Sequence, residues 1–118
     1  MVAGYATELG TMGADWWLYY LNELPHYYIS KAEAHEKGWN NLRGNLAEVA
    51  PNTMIFGGIY SNKKKVLPHK ENRIWYEADI NYTGGYRNKQ RIVFSNDGLI
   101  FVTYDHYETF IEIIGEGM

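Results

Sequence analysis

The chain has 118 residues, enough for one domain and short for two. Apolar residues make up 46 % and charged residues 21 %, which excludes a charge-driven disordered chain, and the absence of cysteine excludes disulfides and thiolate metal sites. The formal charge of −3, taken alone, argues against a polyanionic ligand.

The elements read as helices first and strands after. Trp17, Tyr20, Leu21 and Leu24 fall on one face of a helix expected to stop before Pro25. Ser30-Lys31-Ala32-Glu33 is a capping box, and Gly38 is the natural end of the helix it starts. A third short helix is expected from an Asn45 cap, with Glu48 at its third position, to Pro51. Gly57-Gly58 reads as a bulge or turn, Pro68 closes a lysine-rich loop, and Gly84-Gly85 marks another turn. Arg91–Phe94, the turn Ser95-Asn96-Asp97-Gly98 and Leu99–Tyr104 form a hairpin signal. This order indicates an α+β domain with helices packed on one face of an antiparallel sheet. No apolar run is long enough to span a bilayer, and the first residues lack a signal-peptide pattern. The expectation is a soluble mature chain, any export signal being removed or carried by a larger parent.

Within Arg73–Ile80, strand alternation places Ile74, Tyr76, Ala78 and Ile80 on a core face. Arg73, Trp75, Glu77 and Asp79 fall on the other, a charged face that can carry a polar site. Arg87 and Arg91, four apart, would share a face if both lay in a regular strand. The net charge conceals an asymmetry: residues 60–91 sum to +5, between flanks of −3 (1–59) and −5 (92–118). A basic middle of this kind can face an anion. The five acids after residue 91 are expected to lie mostly away from it.

Glu77, His106, Arg87, Arg91 and Lys31 are the residues that could carry chemistry together. Transesterification of RNA needs a base for the ribose 2′-hydroxyl, an acid for the departing 5′ oxygen and cations for the phosphorane. A carboxylate kept ionised by arginines can be the base, and an imidazole can be the acid. Arginine offers paired donors to phosphate, and lysine a point charge. Singly, each has an ordinary role, Glu77 with Arg87 as a surface ion pair and His106 as a polar residue near a strand start. The four histidines lack metal-ligand spacing, and there is no zinc-binding His-Glu-x-x-His, no phosphate-loop pattern and no Gly-x-Ser-x-Gly elbow.

Long runs then carry a resemblance. They include Leu24-Pro25, Tyr28-Ile29, Gly38-Trp39, Gly44-Asn45-Leu46-Ala47, Val49-Ala50-Pro51, Ser61-Asn62 and Leu67-Pro68. They continue through Glu77-Ala78-Asp79-Ile80-Asn81-Tyr82-Thr83, Arg87-Asn88, Arg91-Ile92, Asp105-His106-Tyr107 and Thr109-Phe110. The chain closely resembles the small bacterial guanyl-preferring ribonucleases of the barnase type, from about Leu18 to Ile113. Residues 1–15 and 115–118 match weakly or not at all.

The resemblance implies three N-terminal helices, then a five-stranded antiparallel sheet, in a single domain over 1–118. It implies cleavage of single-stranded RNA through a 2′,3′-cyclic phosphate without a metal or other cofactor. By position, Glu77 looks like the general base, His106 like the general acid, and Lys31, Arg87 and Arg91 like the phosphate-holding cations. Ser61, Asn62, Lys63 and Lys64 fall in the loop that binds the base, with Tyr107 contacting it too, and Arg73 with Asp97 matches a structural ion pair. It also implies a monomer that is secreted or delivered as a toxin and is restrained by an acidic inhibitor protein of the barstar kind. The chain departs from the pattern at Lys64, where the family has a glutamate that accepts hydrogen bonds from guanine, and lysine has no acceptor. It departs again at Gly58, where an aspartate is usual, and in its low overall basicity. Base choice is therefore open. A catalytically silent RNA-binding module on the same fold is the alternative expectation.

Overall fold

A computed structural model describes residues 1–115; residues 116–118 of the weakly matched tail, Glu116 among them, lie outside the described part. A 3-10 turn at Gly10–Met12 precedes helix α1 (Ala14–Leu21). Strand β1 (Tyr28–Ser30) runs directly into α2 (Lys31–Glu36), and α3 (Leu46–Val49) leads to β2 (Met54–Tyr60). β3 (Trp75–Asp79), β4 (Arg91–Ser95), β5 (Ile100–Thr103) and β6 (Ile111–Glu112) complete one sheet in the order β1-β2-β3-β4-β5-β6.

The α+β layout is as expected, but the sheet has six strands and is mixed, not five-stranded and antiparallel. β1 pairs with β2 in parallel, with Tyr28 beside Met54 and Ser30 beside Phe56. A strand of three residues between Pro25 and the Ser30 cap is too short to show alternation. Its parallel pairing is possible because α2 and α3 supply the long crossover that such a pair needs.

Local chemistry explains the helix ends. Ser30 Oγ accepts from the Glu33 amide at 3.1 Å while the Ser30 amide donates to Glu33 Oε1 at 3.3 Å, so the expected capping box is present. Asn45 precedes α3 but makes no side-chain cap. Its amide group instead ties two loop segments, accepting from Asn40 N at 2.7 Å and donating to Gly38 O at 3.1 Å. Helix α1 ends at Leu21 because Asn22 turns left-handed at φ 56°. Its buried residues are Ala14, Asp15 and Leu18, whereas Tyr20 and Leu21 are half exposed. The helix starts earlier than the aromatic stripe suggested, and its Ala14–Leu18 pair, four apart, faces the sheet.

Both sides of the sheet are packed. Leu18, Ala78, Ile80, Ile92 and Val102 fill the side under α1, and Ala34, Trp39, Leu46 and Ile55 join α2 and α3 to β2. On the opposite side Leu67, Trp75 and Val93 form a third cluster, flanked by Tyr60, Tyr107 and Phe110. The second face of β3 is thus not simply charged: the loop carrying Leu67 covers Trp75, and Asp79 is 1 % exposed. Residues 1–15 fold onto the same body. Val2 bridges Ile114, and the buried Asp15 carboxylate accepts from the amides of Gly4 (2.6 Å) and Ala6 (3.1 Å).

Candidate active site

Two arginines meet on one buried carboxylate. Arg87 donates to both oxygens of Asp79, at 2.9 and 2.7 Å, and Arg91 Nε lies 3.1 Å from Asp79 Oδ1. Asp79 ends β3 and Arg91 begins β4, and the two are register partners across the sheet. Arg87 is not in a strand. It comes from the loop before β4, which turns through Gly84 (φ 136°) and Gly85 (φ 69°). The two arginines therefore face the same way through a shared partner and not through strand periodicity. Arg91 also donates to the carbonyls of Asn88 (2.7 Å) and Gln90 (2.8 Å), which fixes its fork. The hydrogen bonds that Arg87 donates to Asp79 raise its pKa further, so this cation stays charged at every working pH.

Glu77 stands two residues before Asp79 and opposite Gly58, where a bulge interrupts the pairing of β2 with β3. Gly57 leaves the room its carboxylate uses. Tyr107 Oη donates to Glu77 Oε2 at 2.8 Å. Burial, followed by the charge of Glu77, raises the pKa of this phenol well above its ordinary value, so it remains a donor. The Tyr107 ring is itself stacked on Tyr60, with centroids 4.8 Å apart and 12° between planes.

His106 follows β5 in a loop, beside Tyr107 and not at a strand start, and both residues have left-handed backbones at φ 57° and 75°. Non-glycine residues hold that conformation only where surroundings impose it. Here the His106 amide donates to Lys89 O at 2.9 Å, and the Tyr107 amide donates to Thr103 Oγ1 at 3.0 Å. Asp105 braces the same loop by accepting from the amide and hydroxyl of Thr109, and its pKa is lowered to about 2. The His106 side chain is left exposed.

His106, Tyr107, Tyr60, Ser61, Lys63 and Lys64 line one open cleft of about 470 Å³. Glu108 lines it as well, so one of the late acids lies at the cleft and not away from it. Asn62 does not line it. It is 7 % exposed and closes the loop on itself, with Nδ2 donating to Leu67 O (3.1 Å) and Oδ1 accepting from Leu67 N (3.2 Å). Lys31 sits exposed on the first turn of α2, and its side chain makes no hydrogen bond or ion pair among the described residues. A larger cavity of about 590 Å³, walled by Leu9, Met12, Tyr27 and Met54, contains none of these groups. Asp97 pairs with Arg73 as expected, at 2.9 to 3.0 Å, and that pairing lowers its pKa to about 2.

Sequence reasoning passed over Asp79 and Gly57. Asp79 was visible as the next acid on the face of Glu77, yet only the fold turns it into the hub of two arginines.

The ribonuclease family model matches residues 19–114, most of the chain. The chain belongs to the ribonuclease family. It is 49 % identical over 100 residues to a ribonuclease of Heyndrickxia coagulans, covering 85 % of this chain and 91 % of that one. Identity to the ribonucleases of Bacillus intermedius and Bacillus pumilus is also 49 % over 100 residues, and the match spans 61 % of those longer chains. The crystal structure of ribonuclease Sa2 with guanosine-2′-cyclophosphate aligns at a TM-score of 0.46 and 25 % identity, covering 75 % of this chain and 96 % of that one. This ribonuclease is an endoribonuclease whose substrate is RNA, and no helix among its described residues is long and apolar enough to cross a membrane.

Proposed function

We propose that this ribonuclease cleaves single-stranded RNA by metal-independent transesterification through a 2′,3′-cyclic phosphate. Glu77 takes the proton of the 2′-hydroxyl, and His106 protonates the departing 5′ oxygen. Arg87 and Arg91, held by Asp79, take the negative charge of the phosphorane, with Lys31 adding a point charge from α2. Ser61, Lys63, Lys64 and Tyr107 surround the base of the scissile nucleotide, and Asn62 shapes the loop that presents it.

The observation that carries this reading is a single hydrogen bond, Tyr107 Oη to Glu77 Oε2 at 2.8 Å. It links the candidate base to the loop bearing His106, while the Asp79 arginines stand at the next same-face position of β3. A candidate acid lining the cleft, and a candidate base bonded to the cleft's Tyr107 two residues from the Asp79 arginines, suit in-line displacement at phosphorus and have no use in binding alone. The same cation set would attract an acidic inhibitor protein. A monomer, released from the cell or delivered as a toxin, completes the proposal.

Incubation with RNA in excess chelator tests it. Products ending in 2′,3′-cyclic phosphate support the reading, and loss of cleavage on adding chelator contradicts it. Predominantly guanosine 3′ ends would show that Lys64 does not abolish the base preference of the family.

A further inference from the structure

The loop after β2 has a second, cationic side. Behind it lies a groove of about 360 Å³, lined by Lys63, Lys65, His69 and Arg73, with Ile59 and Ile74 exposed along it. Arg73 is neutralised by Asp97. Lys63, Lys65 and His69 make no ion pair among the described residues, and no acid lines the groove. The groove shares Tyr60, Ser61 and Lys63 with the cleft that holds His106, so the two are continuous around one loop. That loop is rigid, because Asn62 clamps Leu67 and Lys65 donates its amide to Asn62 O at 2.9 Å.

We propose that this groove is a second phosphate-binding site, in which Lys65 and His69 hold the RNA strand beyond the cleaved bond. Free cations beside exposed aliphatic side chains suit a sugar-phosphate backbone, and continuity with the cleft supplies the strand that reaches them. The proposal rests on the endoribonuclease reading. An acidic protein is the competing occupant.

The test is the double variant Lys65→Ala/His69→Ala, which leaves every proposed catalytic and base-loop residue in place. On a dinucleoside monophosphate its kcat/KM should match the parent within about twofold. On an RNA of about ten nucleotides, kcat/KM should fall about five- to tenfold at low salt, and the slope of log kcat/KM against log salt should become shallower by roughly 0.7, for the one phosphate charge that Lys65 neutralises. A DNA of the same length lacks the 2′-hydroxyl, and its Kd should weaken by the same factor. If the parent cleaves neither RNA while the variant still weakens DNA binding, the nuclease mechanism fails and the groove stands. An equal loss on the short and long substrates overturns the groove. So does an unchanged long substrate, whether or not the variant loses affinity for an acidic protein.

Discussion

The Glu77 carboxylate fills the space that a side chain at position 57 would need. A Cβ built on Gly57 would lie 2.5 Å from Glu77 Oε1 and 3.0 Å from its Cγ, closer than such contacts allow. Gly57→Ala should therefore displace the base while leaving the backbone unstrained, because its φ is not positive. A displacement of this kind costs about 10²-fold in kcat/KM. Gly58→Ala is the contrasting case. Its Cβ meets nothing within 4 Å, but its φ of 85° is left-handed, so stability should fall by about 1 kcal/mol with activity largely kept. Denaturation midpoints and steady-state kinetics on the two variants separate the effects; the reverse pattern would refute the role of Gly57.

Asp79 should be worth more to stability than any exposed ion pair of this chain. With the Asp79 and Arg91 side chains only 1 % and 6 % exposed, Asp79→Ala strands one buried guanidinium and half releases another. Removing one partner of a buried pair costs about 3–5 kcal/mol. Urea denaturation should show a loss in that range, together with a fall in kcat as the arginines lose their aim. A loss below about 1 kcal/mol would mean that the arginines find other partners.

Tyr107→Phe preserves the ring, and with it the stack on Tyr60, but removes the hydrogen bond to Glu77. Hydrogen bonds to charged groups contribute about 1.5–3 kcal/mol, so a comparable part of the barrier depends on this one, and kcat/KM should fall roughly tenfold or more. The melting temperature should move little. An unchanged kcat/KM would show that the bond does not position the base.

The features legible in the sequence are those fixed within a few residues. The Ser30 capping box, the hairpin through Gly98 and the Gly57-Gly58 bulge need only local chemistry. The polar face of β3 was half legible: alternation placed Glu77 and Asp79 together, but it could not reveal that Leu67 folds over Trp75. The shared direction of Arg87 and Arg91 was anticipated for the wrong reason, since it depends on Asp79 and on a glycine turn. Three-residue β1 and the bridge from Val2 to Ile114 depend on partners tens of residues away, and no local pattern encodes them. Lys31 marks the limit for the site, because position in a motif says nothing about contact.

Acid should destabilise the fold in a defined window. The pKa values of Asp97 and Asp105 fall from the ordinary 3.8 to about 2, the first through Arg73 and Ser95, the second through Thr109 and Thr103. A depressed carboxylate pKa adds stability that is fully present above the unfolded value and is lost as pH drops through the folded one. Urea midpoints should thus hold steady down to about pH 4 and fall between about 4 and 2. Asp97→Asn should lower the midpoint at neutral pH and flatten that decline. A variant with an unaltered pH dependence would rule out the Arg73–Asp97 contribution.

The most direct test of Glu77 as base and His106 as acid is the pH profile of kcat/KM on a dinucleoside monophosphate in excess chelator, for the parent, Glu77→Ala and His106→Ala. The parent should give a bell, Glu77→Ala should lose its acidic limb and His106→Ala its alkaline limb, each at a much reduced maximum. A bell of parental height and shape in either variant would contradict the assignment.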